Sequence, residues 1–347
     1  MRTLVVVLAA LVACRGGDTR SAPVTKAPLG DTHAGSYTGS GGWNAPPATG
    51  SADQWAGSTD PWATPPSADD PDDPPSLAER HRLAEQACPV VKAPYFYRIE
   101  KAGKVSHILG TRHISVPLAK FPHTVTDALS TAKLAVFEVA PDDHGTVETK
   151  KQSLPDVLGP ALWKHYREIV GSTTADALAQ AKPSEAAIMM IAMYEDISAM
   201  LDMEIQRQVL AAHIPTAGLE SSAFQDELLD KLMDARMLKA EVSATKNRQE
   251  LADESKKDLS EYCAGQSDKP GMDEDTRKDM LAAGYTQAEL DAMDEQLVYA
   301  RNASWIPKLE KMFADGDVFV AVGADHLRGP RGVVALLAKR GFTVKRE

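Results

Sequence analysis

Two stretches of the chain share one form: Val105-Ser106-His107-Ile108-Leu109-Gly110-Thr111-Arg112-His113, and Val318-Phe319-Val320-Ala321-Val322-Gly323-Ala324-Asp325-His326. In each stretch, an apolar strand is followed by the pattern Gly-x-x-His. A strand that stops at glycine allows a tight turn or the close approach of another group. Parallel strands can pair across long connections, and ligands bind beyond the carboxyl ends of strands in α/β sheets. The pattern therefore predicts two neighbouring strands that place His113 and His326 at the same edge of a sheet.

The remaining elements predict the surroundings of these two strands. Further strands are predicted at 95–99, 135–139, 216–219 and 342–344. Helices are predicted at 77–86, 124–132, 162–170, 184–194, 202–212, 223–257, 287–313 and 333–339. Strands at both ends with helices between them indicate an α/β fold: a mixed central β-sheet with a large helical insertion between the N-terminal and C-terminal strand segments.

The two histidines suggest chemistry because imidazole is both a common metal ligand and a general base near neutral pH. Glu138 lies in the predicted strand 135–139, where a charge is costly unless it is paired or metal-bound. Two histidines and a carboxylate leave one position of a catalytic metal open for water. A bound divalent ion would lower the pKa of that water and polarise a carbonyl. The alternatives are that each histidine caps a loop and that Glu138 is a salt-bridge partner.

The N-terminus has the form of an export signal. Arg2 is followed by apolar residues from Leu4 to Val12, a run shorter than the ~20 residues that span a bilayer. Leu11-Val12-Ala13-Cys14 resembles a bacterial lipobox, which predicts a signal peptide at 1–13 and a lipid on Cys14. The alternative is an ordinary signal peptide that removes Cys14. Arg15 in place of an aspartate favours the outer membrane, with the protein facing the periplasm or the cell surface.

Composition sets the remaining limits. Residues 15–77 are rich in Gly, Pro and Ser and are interpreted as a disordered tether, which leaves 78–347 as the folded domain. A net charge of -11 argues against nucleic-acid binding. Cys88 and Cys263 could form a disulfide in an oxidising compartment, or could remain free thiols. The sequence makes no prediction of the oligomeric state.

Several weak motifs in one order resemble a known family. Tyr97-Arg98-Ile99-Glu100, the stretch from Ile108 to His113 and Val136-Phe137-Glu138 resemble the opening of the TraB/GumN family. Three later parts are similar to its middle, its late helix and its end. They are Leu201-Asp202 through Gly218-Leu219-Glu220 to Gln225, then Arg301-Asn302-x-x-Trp305, and finally Phe319 to Leu327 with Gly341 to Val344. The resemblance covers about residues 90–347.

The resemblance implies a fold related to the erythromycin esterase and ChaN-like proteins. It also implies the chemistry of the TIKI proteins, animal members that are metalloproteases dependent on manganese or cobalt. Carried over, it puts His113, Glu138 and His326 at a metal, with Gly110 and Gly323 shaping the approach to the ion.

Other residues match the family pattern in less defined roles. Arg301 and Asn302 would bind a substrate carboxylate or stabilise an oxyanion, or would serve only helix packing and capping. Asp202, Glu220 and Gln225 are interpreted as structural. Arg112 occupies a position that is often apolar in the family, which would bear on substrate choice.

The sequence thus predicts a lipid-anchored protein of the bacterial envelope that is a metal-dependent hydrolase, with a peptide or protein as substrate. The metal would be manganese or cobalt, or else zinc. One alternative is a non-enzymatic envelope lipoprotein that binds a ligand in the same cleft. Another is a metal-free esterase with one histidine as general base. A third is an envelope-assembly protein that binds through the tether and its tryptophans.

Overall fold

Six strands form the sheet of the domain. A computed structural model describes residues 74–145, 152–266 and 271–347. The predicted signal peptide 1–13, Cys14 and most of the tether 15–77 lie outside the described residues. The strands are β1 (Tyr95–Lys101), β2 (Lys104–Thr111), β3 (Leu134–Val139), β4 (Thr216–Glu220), β5 (Val318–Gly323) and β6 (Thr343–Arg346).

The helices lie mainly between the first three strands and β5. Two flank the first strands, α1 (Leu77–Ala87) and α2 (His123–Ser130). The helices between β3 and β5 are α3 (Leu154–Val170), α4 (Ser172–Ala177), α5 (Pro183–Ala192), α6 (Leu201–Ala211), α7 (Ser222–Leu232), α8 (Ala235–Ala244), α9 (Arg248–Ala264), α10 (Glu274–Ala282), α11 (Gln287–Asp294) and α12 (Ala300–Met312). A π-helical turn, Glu295–Tyr299, joins α11 to α12, and α13 (Val333–Lys339) precedes β6.

The strand order is β4-β3-β5-β2-β1-β6. β2, β3, β4 and β5 run parallel to one another, whereas β1 is antiparallel to both β2 and β6. Ala102 and Gly103 both have positive φ, which suits the tight hairpin between β1 and β2. The predicted α/β fold with a mixed sheet and a helical insertion is confirmed. The late strand β5 inserts between β2 and β3, so the C-terminal segment completes the centre of the sheet.

Two apolar clusters support this arrangement. One surrounds the sheet and includes Phe96, Ile108 and Val320; the other fills the helical insertion and includes Tyr166 and Met237. All six residues of β5 are buried, as expected for a central parallel strand covered on both faces. The sheet is therefore a rigid base whose strand ends can position side chains.

The structure corrects part of the predicted helical region. The single helix predicted at 223–257 is wrong, because it is divided into α7, α8 and α9. Asp234 and Asn247 interrupt it, since their side chains accept hydrogen bonds from the backbone N–H groups of Met237 and Glu250 and start new helices. The helices α4 and α10 were not predicted.

The N-terminal helix is joined covalently to the insertion. Cys88 and Cys263 form a disulfide with their Cα atoms 5.8 Å apart, which links the residue after α1 to the end of α9. In the described part of the chain, every helix is too short or too polar to span a lipid bilayer.

Candidate active site

The two Gly-x-x-His motifs lie side by side. β2 and β5 pair in parallel with Thr111 opposite Gly323, so His113 and His326 both follow the same edge of the sheet. A side chain at Gly110 would be impossible without a shift, because a Cβ there would lie 2.8 Å from Cβ of Tyr95. This glycine therefore allows β1 to lie close to the start of the loop that follows β2 and carries His113, which we call the His113 loop.

Glu138 reaches the same edge from β3, the other neighbour of β5. Its Oε1 accepts a 2.8 Å hydrogen bond from the Gly323 N–H, so the second motif glycine contributes a backbone donor. Glu138 Oε1 is 3.7 Å from Nε2 of His326. The structure thus brings together His113, Glu138 and His326, all of which are buried.

His113 is fixed through one ring nitrogen only. Its Nδ1 lies 2.5 Å from Oδ2 of Asp202 on α6, while Thr111 donates to the other carboxylate oxygen at 2.8 Å. A carboxylate only accepts, so Nδ1 of His113 carries a hydrogen. Its Nε2 is buried and has no hydrogen-bond partner among the described residues. Burial lowers the pKa of His113, but the charge of Asp202 and its hydrogen bond, with a smaller effect of Glu138, leave it above its usual value.

His326 is fixed at both nitrogens by consecutive residues of α12. Arg301 Nη1 lies 3.1 Å from its Nε2, and Asn302 Oδ1 lies 2.7 Å from its Nδ1. A guanidinium can only donate, so Nε2 accepts and Nδ1 carries the hydrogen. Trp305 packs on the imidazole with the ring centroids 4.4 Å apart. Burial and the charge of Arg301 lower the pKa of His326 to about 3, so this ring is neutral.

Arg301 joins the two sides of the site. Its Nη2 donates to Glu138 at 2.6 Å and to Glu220 at 2.5 Å, and its Nε donates to both oxygens of Glu220 at 3.1 Å. Its Nη1 donates to the Leu297 carbonyl as well as to His326. All five N–H donors of the guanidinium are therefore used within the protein.

Glu138 is held as a carboxylate. Its Oε2 also accepts a 3.0 Å hydrogen bond from Gln225. Burial raises the pKa of Glu138, but Arg301, both imidazoles and the Gly323 N–H lower it to about 2. We use "site cluster" below for His113, Glu138, Arg301 and His326.

Arg301 contacts two of the three predicted metal ligands. Over residues 74–145, 152–266 and 271–347, no group of three or more His, Cys, Asp or Glu side chains is arranged to hold a metal ion. In the site cluster, the guanidinium of Arg301 contacts both Glu138 and His326.

Comparison with known proteins identifies the family. The sequence model of the TraB/PrgY/gumN family matches residues 95–346, from the first residue of β1 to the last residue of β6. The chain belongs to the TraB/PrgY/gumN family. Comparisons with curated proteins and with solved structures gave no significant match.

Arg301 and Asn302, for which contact with substrate is a prediction, make hydrogen bonds to protein groups in this TraB/PrgY/gumN domain. Asn302 uses Oδ1 to bind His326 and donates Nδ2 to the Arg331 carbonyl at 3.0 Å. Arg301 uses all its donors on protein groups. Through these hydrogen bonds both side chains orient the site cluster. A π-helical turn directly before α12 accompanies this arrangement, and such turns are frequent at functional sites.

Three residues interpreted as structural belong to the site. Asp202 binds His113, Glu220 binds Arg301, and Gln225 binds Glu138. All three matched the middle of the TraB/GumN pattern, and that match was the only sequence feature that could have pointed to them. They come from α6, β4 and α7, so the helical insertion builds half of the site.

Arg112 does not join the site cluster. It is buried, and both of its Nη atoms donate to the carboxylate of Glu195 at 2.8 Å. An effect of Arg112 on substrate choice by direct contact is therefore not what this geometry favours.

Proposed function

We propose that this TraB/PrgY/gumN domain is a hydrolase that cleaves peptide bonds with a divalent metal, manganese or cobalt or else zinc, at His113, Glu138 and His326. The observation that carries the proposal is the buried Nε2 of His113, which lacks a hydrogen-bond partner among the described residues. An unpartnered buried nitrogen is costly, and a metal ion is one group that would satisfy it.

The tautomers of both histidines fit a metal. Ligating histidines usually donate their second ring N–H to an oxygen, which fixes the ring and its lone pair. Asp202 accepts from Nδ1 of His113 and Asn302 accepts from Nδ1 of His326, so each ring directs Nε2 toward the site cluster.

One distance and the balance of charge support the proposal, and Arg301 Nη1, now 3.1 Å from Nε2 of His326, would have to leave that nitrogen for an ion to bind it. Two atoms that each lie about 2.1 Å from one tetrahedral ion are roughly 3.4 Å apart, close to the 3.7 Å between Glu138 Oε1 and His326 Nε2. Three carboxylates, those of Glu138, Glu220 and Asp202, bind members of the site cluster, which contains a single guanidinium. Buried charges need compensation, so with His113 neutral this excess of negative charge favours a further cation.

Residues around the proposed metal would orient its ligands, and the metal would supply the activation of water. When bound, the metal supplies Lewis-acid activation of water and of a carbonyl. Asp202 and Asn302 keep the two imidazoles oriented, and the Gly323 N–H keeps Glu138 in place. The protonated form of His113 must lose its Nε2 proton before that nitrogen can act, either as a ligand or as a base.

A metal-free hydrolase is the second candidate. The specific observation in its favour is that Arg301 already pairs with Glu138 and His326, which leaves the His113–Asp202 pair as an oriented general base. An oriented His–carboxylate pair removes a proton from water or a hydroxyl in many hydrolases.

The test is hydrolysis of a fluorogenic peptide library by the purified chain with added Mn²⁺, Co²⁺ or Zn²⁺. We expect cleavage that a chelator stops and that His113→Ala and His326→Ala abolish. The control is His123→Ala, an exposed histidine at the start of α2. Cleavage that resists the chelator but needs His113 would select the metal-free candidate. No cleavage of the peptides with any metal, and none of a p-nitrophenyl ester without metal, would contradict both and leave a ligand-binding lipoprotein.

Export and lipid anchoring are part of the proposal. We propose that Cys14 carries the lipid and places the domain at the bacterial outer membrane. The disulfide between Cys88 and Cys263 supports an oxidising compartment, where such bonds persist. Mass spectrometry of the mature N-terminal peptide should find a lipid-modified Cys14, and Cys14→Ser should release the protein from membranes. An unmodified, cleaved N-terminus after Cys14 would contradict it.

A further inference from the structure

The third residue of each Gly-x-x-His motif is a buried charge in an ion pair. Arg112 pairs with Glu195, and Asp325 pairs with Arg328. The Nη atoms of Arg112 donate to Glu195 and to the Ile114 carbonyl, neither of which belongs to the site cluster. Arg112 directly precedes His113 but is buried outside the site cluster. Contact with substrate therefore does not explain its charge.

Glu195 accepts four hydrogen bonds. Two come from Arg112 at 2.8 Å, one from Ser115 Oγ at 2.5 Å and one from Ser255 Oγ at 2.8 Å. The carboxylate is 1% exposed. A bidentate arginine fixes direction as well as distance. Glu195 therefore holds the His113 loop on both sides of the histidine and joins it to α9.

The backbone of this loop is held by the same segment. Ser115 has a φ of 71°, unusual for a residue with a side chain. Its N–H donates to the carbonyls of Asp196 and Ala199, and the His113 carbonyl accepts from the Leu201 N–H. Such a conformation persists where its surroundings over-determine it. The segment that supplies these contacts, 195–202, ends at Asp202, the residue that binds Nδ1 of His113.

We propose that Arg112 and Glu195 are positioning residues for His113. Their ion pair sets the loop so that Nδ1 of His113 meets Asp202. The chemical consequence rests on the proposed function, but the orientation of His113 does not. Loss of the pair leaves the imidazole present and misaligned.

The test removes the pair without leaving a buried charge. Glu195→Gln alone leaves a buried guanidinium without its carboxylate and could fail to fold, so the double variant Arg112→Met with Glu195→Gln is used. With Arg112 replaced, no cation remains to pair with a charge at position 195. The amide of the Glu195→Gln change can still form hydrogen bonds with both serine hydroxyls. The matched control is Lys182→Met with Asp230→Asn, which removes an ion pair of 2.9 Å at the other end of α5.

Two readouts separate positioning from plain stability. The first is the ¹⁵N NMR shift of the His113 ring nitrogens, assigned by its loss in His113→Ala. The second is peptide hydrolysis, for which loss of a supporting group around a ligand typically costs about 10- to 100-fold. We expect the double variant to keep a cooperative thermal melt, to shift the Nδ1 resonance and to lose at least about tenfold in rate. The control should change neither readout.

The results discriminate between the two proposals. An unshifted His113 resonance in the double variant overturns the positioning role, even if His113→Ala abolishes hydrolysis. A shifted resonance in a protein that cleaves no peptide supports the positioning role and contradicts the proposed function. Arg112→Lys keeps the positive charge but loses the bidentate guanidinium, so it should give an intermediate shift of the His113 resonance.

Discussion

Asp202→Asn should separate the position of His113 from its chemistry. Asp202 accepts from Nδ1 of His113 at 2.5 Å and from Thr111 Oγ1 at 2.8 Å. In the variant, the amide oxygen can serve the threonine hydroxyl, which turns the NH₂ group toward His113. Nδ1 must then accept, so the hydrogen moves to Nε2 and the lone pair that faces the site cluster is lost.

The magnitude follows from the contact that is exchanged. A hydrogen bond to a charged group contributes about 1.5–3 kcal/mol, which corresponds to roughly 10- to 150-fold in an equilibrium constant at 25 °C. The same range holds for residues that orient metal ligands. We therefore expect metal affinity and peptide hydrolysis to fall by about 10- to 100-fold.

The pH dependence of stability has a definite sign. Asp202 raises the pKa of His113 in the folded protein, despite the lowering effect of burial. The stability from this pair is therefore fully present below the unfolded pKa of about 6.5 and is lost as pH rises through the folded value. The difference between wild type and Asp202→Asn should be larger at low pH.

The assay is urea unfolding in chelator at about pH 5.5 and 8.5, together with metal titration and hydrolysis at neutral pH. Asp127→Asn makes the same chemical change on the exposed face of α2 and serves as the control. Metal binding and hydrolysis within twofold of wild type would show that Asp202 does not orient His113, and a stability difference that grows with pH would contradict the charged pair.

Three further predictions concern the charges and the crosslink. Arg301→Met leaves Glu138 and Glu220 without their guanidinium and should cost about 3–5 kcal/mol in chelator; Mn²⁺ should restore part of the melting temperature, and equal melts with and without metal would contradict this. Because the pKa of Glu138 is lowered to about 2 from 4.5, its stability contribution is present above pH 4.5 and lost on acidification towards 2, so Glu138→Gln should flatten that part of the urea-melt profile. Replacing Cys88 and Cys263 by serine opens a crosslink between residues 175 apart and should cost about 2–5 kcal/mol in a urea melt; an unchanged midpoint would contradict the structural role of the bond.

The sheet was predictable because its strands are local apolar runs. The two Gly-x-x-His stretches carry both the strand and its end, so the parallel pairing of β2 with β5 followed from their shared form. Glu138 could be assigned to the same site as the two histidines, because a charged residue inside an apolar strand is costly unless it is paired or metal-bound. Asn247 followed by Glu250 could have marked the start of α9, since asparagine is a preferred helix cap.

The other half of the site could not be derived from local pattern. Asp202 and Gln225 come from helices of the insertion, and their approach to the sheet depends on how those helices pack. Glu220 ends β4, and the side chain it would meet lies on a helix far along the chain. No hydrophobic period encodes that docking. The role of Arg112 was hidden for the same reason, because Glu195 lies 83 positions further along the chain.

The most direct measurement is the metal content of the purified chain beside His113→Ala, His326→Ala and the control His123→Ala. We expect stoichiometric manganese, cobalt or zinc in wild type and in the control, with both the ion and peptide hydrolysis lost in the other two variants. Metal retained by His326→Ala, or hydrolysis that persists after the ion is removed, would contradict the proposed metal centre.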